Sequence, residues 1–180
     1  MSLLEKGTND IKALALKYTD EETFYTSQDY CTKLFAKIIF ANGTPVKKGV
    51  NEIIKCAKKK GIKLAVATGA NRQVLELLFA NSEVEISDFD VVVTASEVKR
   101  GKPYPDVYYE VWKKLNIDTK DCLAVEDSYT GIQAAYSAGC RTARVEDMEK
   151  FDEEKNKVVD YNFKSLSDIV DTFIEFDMEK

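Results

Sequence analysis

Apolar and polar positions change their rhythm at Pro45. Before it the pattern is helical: Thr8 can cap a run with Ile11, Leu14 and Leu16, and Thr19 with Glu22 makes a capping-box pattern. In the second helix Cys31, Leu34, Phe35, Ile38 and Ile39 follow the helical period, and Gly43 and Pro45 end it. From Pro45 onward helix and strand alternate. A helix with Val50, Ile53, Ile54 and Ala57 on one face stops at Gly61, and the apolar run from Leu64 to Ala67 follows as a short buried strand. Asn71 to Ala80 is helical again, and Val91 to Val93 is a β-branched strand. The helix after Pro105 puts Val107, Val111 and Leu115 on one stripe with Tyr108 and Trp112 beside it. A strand from Cys122 to Val125, a small-residue helix ending at Gly139, a strand from Thr142 to Val145 and a helix from Ser165 to Phe173 complete the reading.

Alternation of short apolar strands with amphipathic helices is the pattern of a parallel sheet covered on both faces, so the fold class is α/β. The expected organisation is a small helical piece over residues 1–45 and an α/β core over 46–180. Ligands of such sheets bind at the carboxyl ends of the strands, and candidate chemistry is therefore sought in the residues that follow each strand.

Composition narrows the classes. No apolar run approaches the roughly 20 residues that span a bilayer, which argues against a membrane role. The net charge of −5 argues against a nucleic-acid partner, since affinity for phosphate backbones needs clustered Lys and Arg. The one tight basic run, Lys58 to Lys60, sits at a helix end, where cations favour the dipole. Cys31, Cys56, Cys122 and Cys140 form no CxxC pair and no signal peptide precedes the first helix, which reads as a reduced, cytoplasmic protein. The absence of histidine removes Ser-His-Asp and Cys-His catalysis and imidazole zinc sites together, leaving carboxylates, Lys and hydroxyls for any chemistry.

Three strand ends carry such groups. Thr68-Gly69-Ala70-Asn71-Arg72 offers a hydroxyl and free backbone amides where a strand meets a helix, a phosphate-shaped site or a simple helix cap. In Gly101-Lys102-Pro103-Tyr104-Pro105-Asp106 the two prolines fix the backbone around Lys102. That lysine either neutralises a phosphoryl oxygen or is a solvated surface residue. Glu126 and Asp127 are adjacent carboxylates directly after the third strand. They suit Mg²⁺, which takes one or two protein carboxylates with waters and substrate phosphate; alternatively Asp127 caps the next helix.

The order hydroxyl, lysine, acidic pair at successive strand ends resembles the haloacid-dehalogenase superfamily. Val66-Ala67-Thr68-Gly69, Gly101-Lys102-Pro103-Tyr104-Pro105-Asp106 and Val125-Glu126-Asp127-Ser128 with Gly131-Ile132-Gln133-Ala134-Ala135 look like its second, third and fourth motifs, in the branch that includes β-phosphoglucomutase and phosphoglycolate phosphatase. The resemblance covers roughly residues 45–147, and the helices before Pro45 look like the later part of that branch's helical cap. It implies a Rossmann-like core and a Mg²⁺-dependent phosphatase or phosphomutase acting on a small phosphorylated metabolite such as a sugar phosphate. Thr68, with Gly69 and Asn71, would hold the phosphoryl group, Lys102 would balance its charge, and Asp127 would bind Mg²⁺ with Glu126 supporting.

The family's first motif is an Asp-x-Asp pair at the end of a central first strand, and no such strand precedes the two helices here. The chain as written is therefore expected to lack its nucleophile and to be inactive by the family mechanism. Three remedies are open: a segment upstream, a strand donated by a second chain, or direct pairing of the two strands that would flank the gap. Exposed strand edges raise the chance of a strand-sharing homodimer. Phe176-Asp177-Met178 echoes the missing motif, which makes Asp177 and Glu179 a local alternative to a plain acidic tail. The competing function is a truncated, inactive homologue with a binding or structural role. A receiver domain is disfavoured because its acidic pair comes first and its lysine last, and a nicotinamide enzyme because no GxGxxG follows a strand.

Overall fold

The computed structural model describes residues 8–176, with side chains from Lys12 to Thr172. Two helices come first, α1 (Thr8–Ala15) and α2 (Glu21–Asn42). The cap of α2 is Asp20 rather than Thr19: its carboxylate accepts from the Thr23 amide at 2.7 Å and from the Thr23 hydroxyl at 3.1 Å. A carboxylate adds charge to the capping bond and so outcompetes the neighbouring hydroxyl at the positive end of the helix. Of the apolar stripe read from the sequence, only Ile39 is buried, while Leu34, Phe35 and Ile38 are exposed. Helix α2 is joined to α1 by Lys12, which bonds Glu21 and Tyr25, and packs on α4 (Arg72–Ala80); just beyond its carboxyl end Thr44 donates to the carbonyls of Asn81 and Leu78.

Helix α3 (Val50–Lys59) starts at Gly49, whose φ of 94° is left-handed and whose missing side chain makes room for another helix. A Cβ there would lie 2.4 Å from the Ser167 amide at the start of α8 (Leu166–Phe176). This close approach lets α3 and α8 pack together, with Ile54 and Ala57 inward.

Among the described residues every strand pair is parallel. Strand β1 (Ala65–Ala67) pairs with β2 (Val91–Val93) in the register Ala65↔Val91 to Ala67↔Val93, and the Thr68 amide extends the ladder to the Val93 carbonyl at 3.0 Å. Strands β3 (Leu123–Glu126), β4 (Arg141–Val145) and β5 (Tyr161–Phe163) form a second sheet in that order. Neither β5 nor the short α7 (Glu153–Asn156) before it is read from the sequence. Asp160 docks β5 by accepting from the Thr142 amide at 2.7 Å.

Direct pairing across the gap, one of the three remedies considered, does not occur: β1 and β3 lie in different sheets. Helix α5 (Asp106–Leu115) packs on β1 and β2 and also on α6 (Tyr129–Ala138), which covers β3 and β4. Helix α5 thus bridges the two sheets on one side. Between them runs an apolar cleft of about 870 Å³, walled by Ile53, Ile54 and Ala57 of α3 and by Val111 and Trp112 of α5. The buried core joins Val93, Val107, Tyr108, Val111, Trp112 and the alanines of α6. Among the described residues no helix is long and apolar enough to cross a membrane.

Candidate active site

The carboxyl ends of β1 and β3 open onto a polar cleft of about 630 Å³ whose wall includes Thr68, Gly69, Lys102, Glu126, Asp127 and Ser128. It shares Ala65, Ala67, Val125 and Glu126 with the apolar cleft, so the two adjoin along the gap between the sheets. Thr68 turns the chain after β1: its hydroxyl oxygen accepts from the Ala70 amide at 3.1 Å, which leaves its own O–H free to donate. Gly69 is exposed beside it, with open space around its Cα. Asn71, read from the sequence as a substrate contact, is not in the wall. Its side chain accepts from the Val74 amide at 2.9 Å and caps α4, so the helix-cap reading describes it.

Lys102 is a held residue, with only 14% of its side chain exposed, which disposes of the solvated-surface reading. It follows Gly101 in the loop before α5, and its peptide bond to Pro103 is cis. Its ammonium donates to the Ala67 carbonyl at 3.0 Å and forms an ion pair with the Glu126 carboxylate. One contact ends β1 and the other ends β3, so this single side chain ties the two sheets across their gap. Glu126 also accepts from the Tyr108 hydroxyl. Burial, and then the neighbouring Glu126 charge, push the Tyr108 hydroxyl well above its usual pKa, which keeps it protonated and a donor.

The space for that carboxylate comes from Gly131. A Cβ on Gly131 would lie 2.0 Å from Glu126 Oε2 and 2.4 Å from Cδ. The sequence assigns no role in the site to Tyr108, which looks like one more aromatic of an amphipathic helix, nor to Gly131, although Gly131 belongs to the stretch that resembles the fourth motif.

Asp127 differs from Glu126 although the two are adjacent. The cap of α6 is Ser128, whose hydroxyl accepts from the Gly131 amide at 3.2 Å, so the alternative role of Asp127 as helix cap is not realised. Its side chain is 53% exposed and has the Lys47 ammonium 3.8 Å away. The same ammonium pairs with Asp147, just beyond β4, and holds that carboxyl below the usual range. Among the described residues no group of three acidic or thiol side chains converges as a metal cage. Mg²⁺ does not require one: it is held by one or two carboxylates and completed by water and phosphate oxygens. Asp127, open to solvent, fits that demand; Glu126, whose Oε1 is tied to Lys102 and Tyr108, lines the same cleft. Asp177 and Glu179 lie outside the described residues.

The chain is similar to known proteins in sequence and in fold. The chain is 39% identical over 104 residues to the phosphorylated carbohydrates phosphatase of Thermotoga maritima, covering 57% of this chain and 47% of that protein. The fold superposes on a CbbY variant from Rhodobacter sphaeroides in complex with xylulose-1,5-bisphosphate with a TM-score of 0.75 and 26% identity, covering 92% of this chain and 76% of that one. It also superposes on β-phosphoglucomutase from Clostridium difficile at 0.73 and 19% identity, covering 92% and 71%, a likeness of fold alone. The chain spans about half or less of the length of the curated relatives it matches. The family model of haloacid dehalogenase-like hydrolases matches residues 4–139, which takes in all three strand ends and the cleft between them, and the chain belongs to that family.

Proposed function

We propose that this chain forms the phosphate- and Mg²⁺-binding part of a phosphohydrolase or phosphomutase for a small phosphorylated metabolite such as a sugar phosphate, and that as written it lacks the attacking carboxylate. The observation that carries this reading is the convergence of Thr68, Lys102 and Asp127 on one cleft at the carboxyl ends of β1 and β3. The phosphatase and the CbbY complex among the relatives support the substrate class.

The Thr68 hydroxyl, accepting from Ala70, donates to a phosphoryl oxygen. Lys102 sits between Ala67 and Glu126 and places positive charge at the floor of the cleft. Glu126 and Tyr108 position Lys102 rather than contact substrate. Asp127 would hold Mg²⁺, which would supply charge neutralisation for the phosphoryl oxygens. Gly69 allows the backbone to approach the phosphate.

In-line displacement also needs a nucleophile. Glu126 is engaged by two buried donors and Asp127 faces the cation side, so neither supplies one. A further strand entering between β1 and β3, from a preceding segment or from a second copy in a strand-sharing dimer, would satisfy both strand edges and bring its last residues to Thr68 and Lys102. In this division residues 1–45 are part of a helical cap and 46–180 the core. The same engagement of both carboxylates favours a second reading, a homologue that keeps the site for binding alone.

The test is Mg²⁺-dependent hydrolysis of an aryl phosphate by the purified chain, with Asp127→Ala as the control for contaminating phosphatase. No difference between the two is expected. Hydrolysis that Asp127→Ala abolishes would show that the chain already holds a nucleophile.

A further inference from the structure

Lys47 lies in the segment that leads from α2 to α3, and both ends of that segment are fixed. Thr44 is bonded through its amide to the Asn81 carbonyl at 2.6 Å, and the Val50 amide donates to the Lys47 carbonyl at 3.2 Å. Gly49 is pressed against the start of α8. The side chain is therefore launched from a held backbone over the carboxyl ends of β3 and β4, adjacent parallel strands paired Glu126↔Arg144. Just beyond those ends stand Asp127 and Asp147, and the ammonium reaches both across gaps of 80 and 100 residues in the chain. Two carboxylates at neighbouring strand ends repel each other unless a cation lies between them. Here that cation is the chain's own.

We infer that Lys47 is a tethered counter-cation that occupies the cation side of Asp127 and competes there with a divalent ion, so that it sets how tightly the site holds Mg²⁺. This rests on the reading of Asp127 as the metal-binding carboxylate. A divalent ion at Asp127 places two positive charges a few ångströms from the ammonium, which must leave Asp127 as the ion enters.

The test is the binding of Mn²⁺, as a paramagnetic substitute for Mg²⁺, followed by the free-ion electron paramagnetic resonance signal without any substrate. Lys47→Met keeps the length of the side chain and removes its charge. It should bind Mn²⁺ about fivefold more tightly than the unmodified chain, the scale of one partly exposed ion pair. Lys47→Arg keeps the charge and should bind within about twofold of the unmodified chain. Asp127→Asn should lose the ion. Equal affinity in Lys47→Met and the unmodified chain, with Asp127→Asn still losing the ion, overturns the competition while leaving the metal site in place. Tightening in Lys47→Arg as well overturns it too, because charge would then not be the cause. Undiminished binding in Asp127→Asn refutes the metal site itself, and the competition with it.

Discussion

Replacing Gly131 by alanine would be a stabilising change in an ordinary helix, since alanine is favoured over glycine by about 1 kcal/mol at a helical position. Here the opposite sign is expected. The new methyl would stand 2.0 Å from Glu126 Oε2 and 2.4 Å from Cδ, whereas a comfortable contact is roughly 3.5 Å, so the carboxylate must move by about 1.5 Å. Glu126 has little freedom to do so, because its side chain is 10% exposed and is gripped by Lys102 and Tyr108. Breaking a buried ion pair costs about 3–5 kcal/mol, and a flexible glutamate recovers part of it, so about 3 kcal/mol is a fair loss. Subtracting the helix gain leaves a net destabilisation of about 2 kcal/mol, a melting temperature lower by about 4–8 °C for a chain of this size. Urea unfolding followed by far-UV circular dichroism measures it. In a Glu126→Ala background only the 3.0 Å approach to the Ser128 hydroxyl remains, and most of the penalty of Gly131→Ala should disappear, which makes that difference between the two backgrounds the decisive observation. A Gly131→Ala protein as stable as the unmodified chain would refute the tight fit of Gly131 to Glu126.

Other expectations follow from the same geometry. Tyr108→Phe deletes one of two buried donors to Glu126 and should cost about 1–2 kcal/mol in urea unfolding; no measurable loss would mean that the Tyr108 hydroxyl does not anchor Glu126. Glu97, bonded foremost by Lys114 and also by Thr94 and Arg72, titrates at about 2, below its ordinary 4.5. A depressed carboxyl stabilises the fold above its unfolded pKa and loses that contribution as pH falls through its folded one. The stability difference between the unmodified chain and Glu97→Gln, on the order of 1 kcal/mol after allowing for solvent screening, should therefore shrink from about pH 5 to about pH 3. A pH-independent difference would contradict the ion-pair cluster. Burial pushes the Cys140 thiol up to about 12, whereas Cys31 is exposed. Mass spectrometry after brief alkylation of the native protein should find Cys31 labelled and Cys140 spared, and early labelling of Cys140 would show that the α5–α6 core opens readily.

The alternation of helices with short apolar strands is a local signal, and it made the α/β class and four of the five strands legible, because Val91 to Val93 or Leu123 to Val125 suit few environments other than a covered parallel sheet. Strand β5 was not legible. Tyr161-Asn162-Phe163 has no run to read, and its place is set by Asp160 bonding to Thr142 on another strand. The stripe on α2 shows the opposite limit, since periodicity reveals an apolar face but not whether anything covers it. In the site, Lys102 could be picked out because two prolines frame it, and the acidic pair because it ends a strand. That Glu126 turns inward and Asp127 outward follows from Tyr108 and Gly131, to neither of which the sequence alone assigns a role. Lys47 and Asp147 meet only because the fold joins residues 100 apart.

Phosphorus-31 nuclear magnetic resonance of the purified chain with a sugar phosphate such as glucose 1-phosphate, with and without Mg²⁺, reads binding and turnover in one sample. The expected result is a Mg²⁺-dependent broadening or shift of the sugar-phosphate signal that Asp127→Asn and Lys102→Met each weaken, with no inorganic phosphate signal growing in. Growth of inorganic phosphate that Asp127→Asn abolishes would contradict the proposal that these residues hold no nucleophile, and a sugar-phosphate signal indifferent to the protein would contradict the site itself.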